Sequence, residues 1–132
     1  MTRAVDSILD QIVESVNSDH SLQRRGIYVN LTFQLGVGSD EYLLTVRSGR
    51  ITDVQLRTLA TETGTFSVRA AMQHWQKFWQ PVPPRDYQDL FSMLPKKYAQ
   101  IDGDVLPLMQ NLQYFKDLLA SGRETRKSAD NA

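Results

Sequence analysis

Gly26-Ile27-Tyr28-Val29-Asn30-Leu31-Thr32-Phe33-Gln34-Leu35-Gly36-Val37 places an apolar residue at every second position, with polar or small residues between them. Successive side chains of an extended chain point to opposite faces, so this stretch reads as a long strand with one apolar and one polar side. Gly36-Val37-Gly38-Ser39-Asp40 then turns the chain, residues 41–47 read as a second strand, and Ser48-Gly49 closes a tight turn into a third that runs from Arg50 to about Arg57. These three predict an antiparallel meander. A fourth strand, residues 63–70, sets Phe66, Val68 and Ala70 on one face and Thr65, Ser67 and Arg69 on the other.

On either side of these strands the period changes. Val5, Ile8, Leu9, Ile12, Val13 and Val16 recur at helical spacing and stop near Asn17-Ser18-Asp19, which predicts an amphipathic first helix. After Ala70, Met72, Trp75, Phe78 and Trp79 cluster on one side of a second helix, which Pro81-Val82-Pro83-Pro84 cannot continue. Asp86 is placed to cap a short helix carrying Tyr87, Leu90, Phe91 and Leu94, ended by Pro95, and residues 98–101 have the composition of a short strand. Asp104 predicts the start of a final helix reaching about Ala120, with Pro107 in its first turn and Gly122 beyond its end. The expected architecture is one α+β domain over residues 1–120. It has a mainly antiparallel five-stranded sheet, helices packed over one face and an apolar cavity between them. Residues 121–132 lack apolar periodicity and are expected to be disordered.

Composition removes several classes of function. Fifteen basic residues balance fifteen acidic ones among 132, so no net field favours a nucleic acid or an anionic membrane. The absence of cysteine excludes disulfides, thiolate metal sites and a cysteine nucleophile. No run approaches the roughly 18 apolar residues of a membrane span, and Asp6, Asp10 and Glu14 interrupt the first helix too early for a signal peptide, so a cytoplasmic protein is expected.

Catalytic templates find little purchase. His20 and His74 lie in different elements without metal-ligand spacing, and no Gly-x-Ser-x-Gly turn is present. Gly36-Val37-Gly38 precedes a strand instead of the helix a phosphate cradle requires, and Asp102-Gly103-Asp104 lacks the further ligands of a calcium loop. No catalytic residue, metal or cofactor is assigned. What stands out is the density of large apolar side chains in the second half. Core packing accounts for such a stripe, but short helices broken by prolines also leave room for a cavity against a curved sheet.

The strand containing Phe66, followed by Met72-Gln73-His74-Trp75 and Phe78-Trp79, the short strand Tyr98-Ala99-Gln100-Ile101 and the step Ile101-Asp102-Gly103-Asp104 into an apolar helix, resembles the sterol carrier protein type 2 family. The resemblance covers about residues 26–120. It implies a hydrophobic tunnel between sheet and helices that binds sterols, fatty acids or acyl thioesters. By position, its lining would come from Met72, Trp75, Phe78, Trp79, Phe91 and Leu94, and from Met109, Leu112, Phe115 and Leu119 of the last helix. Burial against such walls contributes roughly 25 cal/mol per Å², enough for micromolar binding without a charged contact. The sequence departs from the family where two tryptophans and Pro81-Val82-Pro83-Pro84 make a stiffer lid than the usual aliphatic segment. Arg69 and His74 are expected near the mouth, where they either meet a carboxylate or simply face solvent.

Three functions compete. The first is a non-enzymatic carrier for a hydrophobic small molecule. The second is an enzyme or accessory subunit with His74 or Asp86 as acid or base, which requires His74 to lie by a cavity and not on the solvent face. The third is an interaction domain, oligomeric or not, that uses its aromatic surface.

Overall fold

The computed structural model describes residues 4–123, with side chains from Ser7 onward, so the side chain of Val5 and residues 124–132 lie outside the described residues. The elements run α1 (Ala4–Ser18), α2 (His20–Arg25), β1 (Asn30–Val37), β2 (Asp40–Arg47), β3 (Arg50–Leu56), β4 (Phe66–Ala70), α3 (Met72–Phe78), α4 (Leu90–Met93), β5 (Ala99–Gly103), α5 (Leu106–Gln110) and α6 (Leu112–Ala120). The sheet has five strands in the order β3-β2-β1-β4-β5. β1, β2 and β3 form the expected meander, joined at Ser48 and Gly49, whose φ angles of 51° and 80° give a turn that follows the twist of the strands. β4 does not extend the meander. It crosses to the far side of β1 and pairs with it in parallel, Leu35 opposite Val68, while β5 returns antiparallel to β4.

The register sorts the two faces. Phe33, Leu35 and Val37 of β1, Tyr42, Leu44 and Val46 of β2, and Phe66 and Val68 of β4 share one face and merge with Leu9, Ile12 and Val16 of α1 and Leu118 and Leu119 of α6 into one core. The opposite face carries Thr32, Gln34, Glu41 and Arg69. Residues 57–65 connect β3 to β4. Arg57 pins this segment by donating to the carbonyls of Glu62 (2.7 Å) and Ala60 (2.7 Å) and to Glu41 Oε2 (2.8 Å). Gln34, buried in mid-strand, accepts the Gly64 N–H at 3.1 Å. α1 reaches the edge strand through Asn17, whose amide accepts from the Ile51 N–H and donates to the Ile51 carbonyl, both at 2.9 Å. It thus occupies backbone groups that an edge strand would otherwise leave open.

Three expectations change. β1 begins at Asn30, not Gly26, because residues 20–25 form α2, capped by Asp19 accepting the Leu22 N–H at 3.0 Å. Ile27 and Tyr28 therefore stand outside the strand, with Tyr28 89% exposed. The cap of the short helix is Asp89, which accepts the Ser92 N–H at 3.0 Å, and not Asp86, which takes φ 73° and pairs with Lys96 at 3.3 Å. The final helix is two. Asn111 separates α5 from α6 and its side-chain amide donates to the Pro107 carbonyl at 2.9 Å.

Tyr114 of α6 is buried and its hydroxyl donates to the Gly49 carbonyl at 2.8 Å, tying the helix layer to the β2–β3 turn. Burial pushes its pKa well above the ordinary tyrosine value, and burial likewise raises Tyr87. A folded-state pKa above the unfolded value gives stability that is complete below about pH 10 and lost as pH rises, by about 1.4 kcal/mol per unit for one such group. Urea unfolding between pH 9 and 11.5 is expected to show this slope in the wild type and a shallower one in Tyr114→Phe. That variant should cost about 1 kcal/mol at neutral pH for the lost hydrogen bond. Equal slopes in the two proteins would show that Tyr114 is not a source of the alkaline loss.

Candidate functional site

Ala71 offers no capping side chain to α3, so the helix is held by what its apolar face touches. Trp75 is buried and its indole N–H donates to the Gly36 carbonyl of β1 at 2.8 Å, whereas Trp79, the residue that ends the helix, donates to the Leu119 carbonyl of α6 at 2.9 Å. The two indoles stack with centroids 4.8 Å apart, and Phe78 meets Trp75 edge-on at 5.3 Å. One tryptophan thus fastens α3 to the sheet and the other fastens it to α6. Phe115 sets its edge against Phe33 (5.6 Å) and Phe66 (5.2 Å). Of the ten residues singled out from the sequence, Trp75, Phe78, Trp79, Phe115 and Leu119 are buried in the core, and Met72, Phe91 and Leu94 pack half-buried against it. Leu112 is partly exposed and Met109 is 51% exposed. The Lys116–Asp89 ion pair (3.4 Å) brings α6 against the cap of α4, one turn on from Leu112.

The proline segment after α3 is held from the C-terminal side. Arg123 donates to the carbonyls of Phe78 (2.7 Å), Tyr87 (3.2 Å) and Gln88 (2.5 Å), with its guanidinium over the Phe78 ring at 4.6 Å. Burial lowers the pKa of this group, an effect that Asp89 opposes. A Cβ on Gly122 would stand 2.7 Å from the Trp79 indole nitrogen, so the chain passes this point only as glycine. Residues 121–123, placed at the head of the expected disordered tail, are packed; Gln11 accompanies them by donating to the Ser121 and Arg123 carbonyls at 3.2 and 2.6 Å.

Polar chemistry collects elsewhere, at the junction of β4, β5 and α3. A cleft of about 490 Å³ is lined by Gly38, Arg69, His74, Lys97, Tyr98 and Gln100 together with Ala70, Ala71 and Ala99. His74 stacks on Tyr98 at 4.6 Å and shares a 2.9 Å hydrogen bond between Nδ1 and the Tyr87 hydroxyl; Tyr87 and Tyr98 stack in turn at 5.0 Å. Arg69 and His74 both line this cleft, which sets His74 beside a cavity. The structure adds Lys97 and Tyr98, which sequence reasoning missed. Their signal was the proximity of a cation to a strand paired with the Arg69 strand. Among the described residues that line the cleft there is no carboxylate, serine or cysteine, Asp86 pairs with Lys96, and the polar groups beside His74 are the Tyr87 hydroxyl, Tyr98 and Lys97. Among the described residues no three His, Cys, Asp or Glu side chains gather as a metal site, and no helix is long and apolar enough to cross a membrane.

No protein-family model and no curated protein sequence matches the chain. Solved structures do. Sterol carrier protein 2 superposes with a TM-score of 0.70 at 14% identity over 90% of this chain and 95% of that one. A Thermus thermophilus protein suggested to be a sterol carrier gives 0.66 at 12% identity over 94% and 92%. UbiJ-SCP2, described as a ubiquinone synthesis protein, gives 0.56 at 18% identity over 92% and 96%. The fold is that of the sterol carrier protein type 2 class, an α+β domain with an open, mostly antiparallel sheet. The particular domain is one in which two stacked tryptophans join the sheet to the last helix.

Proposed function

We propose that this domain binds and carries a hydrophobic small molecule, a lipid, fatty acid, acyl thioester, sterol or flat aromatic, between the sheet and the α3, α4 and α6 layer, without transforming it. The observation that carries this reading is the discontinuity of the helical cover: α4 spans only Leu90–Met93, and Asn111 divides α5 from α6. Around that break stand apolar residues that the core does not fully absorb, Phe91, Leu94 and Leu112 half-buried and Met109 exposed. A long rigid helix would cover the apolar face of the sheet; short segments joined by turns move apart at lower cost. The sterol-carrier-like fold supports the same class of ligand. Phe91, Leu94, Met109 and Leu112 form the entrance in this reading, and Met72, Trp75, Phe78, Trp79, Phe115 and Leu119 the inner wall. The setting is cytoplasmic.

A second reading is an accessory subunit that presents such a ligand to an enzyme. It is favoured by the open cleft beside His74 and by the likeness to UbiJ-SCP2. Both readings require a bound apolar molecule. Titration with palmitate, with cholesterol and with a prenylated quinone, followed by Trp75 and Trp79 fluorescence, is expected to give a saturable change with at least one of them, at micromolar concentration. Native mass spectrometry should show the matching adduct. A flat response to all three, with no apolar adduct in the purified protein, would overturn both.

A further inference from the structure

Residues 88–95 leave and rejoin the body of the fold at one place. Asp86 and Lys97 take φ angles of 73° and 61°, which non-glycine residues adopt at a cost, and the Asp86–Lys96 ion pair (3.3 Å) closes the gap between the two ends. A segment of this length with its ends held together is an Ω-loop, and the sharp backbone turns at its ends are where a swing is absorbed. Tyr87, bonded to His74 and stacked on Tyr98, is a fixed post beside the first of these turns. The loop carries α4, whose Leu90 and Met93 are buried while Phe91 and Leu94 pack half-buried against the core. At one turn, α4 does not hold itself in place through its own hydrogen bonds.

Two cations fasten the start of the loop. Arg123 donates to the carbonyls of Tyr87 (3.2 Å) and Gln88 (2.5 Å) and, on its other side, to that of Phe78 in α3 (2.7 Å). Lys116 of α6 pairs with Asp89, the cap of α4, at 3.4 Å. These contacts are polar and partly open to solvent, whereas the bonds by which Trp75 and Trp79 fasten α3 are buried. Contacts of the first kind break at lower cost, so the loop parts from the core while α3 stays joined to the sheet and to α6. Leu90 and Met93 draw the loop shut in water, and an apolar guest that takes over their contacts offsets the cost of opening.

We propose that residues 88–95 are a hinged flap, latched by Arg123 and Lys116, that opens to admit and release the bound molecule. This rests on the binding function proposed above and adds the moving part that sets the rate of exchange.

The test is stopped-flow tryptophan fluorescence with palmitate, cholesterol and the prenylated quinone. It compares wild type with Arg123→Gln, Lys116→Gln and the control Arg25→Gln, which removes an ion pair between α2 and Asp117 of α6. Hydrogen exchange of residues 88–95 is measured without ligand, and circular dichroism confirms the fold. Arg123→Gln is expected to raise association and dissociation rates alike, each about tenfold, with affinity changed by less than about twofold; Lys116→Gln is expected to raise both about threefold. Amides of the loop should exchange faster in both variants, and the control should match wild type. Lys116→Gln removes only a partly exposed charge, so it reads the latch even where Arg123→Gln unfolds the chain. Unchanged rates in both variants, or faster dissociation alone with weakened affinity, would overturn the flap while leaving the carrier function standing. Silence of all three probes in wild type would overturn the carrier function, and the flap with it.

Discussion

Trp75→Ala is expected to lower stability by about 3–5 kcal/mol, the range for removing a fully buried large aromatic side chain. The indole is wholly buried, stacks on Trp79, meets Phe78 edge-on and donates its N–H to Gly36, so truncation empties the junction of α3 with the sheet and deletes the fastening at once. In urea this corresponds to a midpoint lower by roughly 2 M at a slope typical of a small domain. Trp75→Phe keeps most of the volume, loses the donor and is expected to fall between the two. A midpoint drop below about 0.5 M for Trp75→Ala would mean that α3 is not held by this residue.

Gly26→Ala is expected to cost about 3 kcal/mol, a large effect for one methyl group and near the upper end for overpacking. The backbone there, φ −106° and ψ 20°, is open to any residue, so conformational strain is not the cause. Space is. A Cβ would stand 2.4 Å from two carbons of the Tyr114 ring, and that ring is pinned by its bond to Gly49 and by its edge contact with Phe115. Neither side yields without breaking something. Tyr114→Leu in the same chain removes the obstacle, so the double variant is expected to be markedly less destabilised than the sum of the singles, with a coupling of about 1–2 kcal/mol. Additive losses in the urea midpoints would place the clash elsewhere.

These two residues mark where reading the chain succeeds and where it stops. The Trp75, Phe78 and Trp79 stripe was legible because helical spacing is a property of neighbouring residues. The strand alternation through Phe33 and Leu35, the Ser48-Gly49 turn and the proline stops are equally local, and the α+β class with helices on one face follows from them. α2 escaped notice because its six residues bury only Leu22, which makes no period. The break at Asn111 escaped because the apolar stripe runs on through Leu108 and Phe115 regardless; a side-chain bond to Pro107, not a change of pattern, accompanies it. Asp86 and Asp89 are equal candidates as caps by composition, and only the ion pair with Lys96 and the bond to Ser92 separate them.

By itself the sequence determined the succession of helices and strands apart from α2 and the break at Asn111, the apolar face of the main elements and the class of fold. Those depend on the stereochemistry of adjacent residues, which every segment carries with it wherever it ends up. Tertiary structure alone decided that β4 joins β1 in parallel and that five of the ten large apolar candidates are buried in the core while others stand half-open. It alone gathered Arg69, His74 and Lys97 around one cleft. Strand partnership, side-chain burial and the meeting of distant charges are set by which segments compete for the same volume, a quantity that no single segment contains.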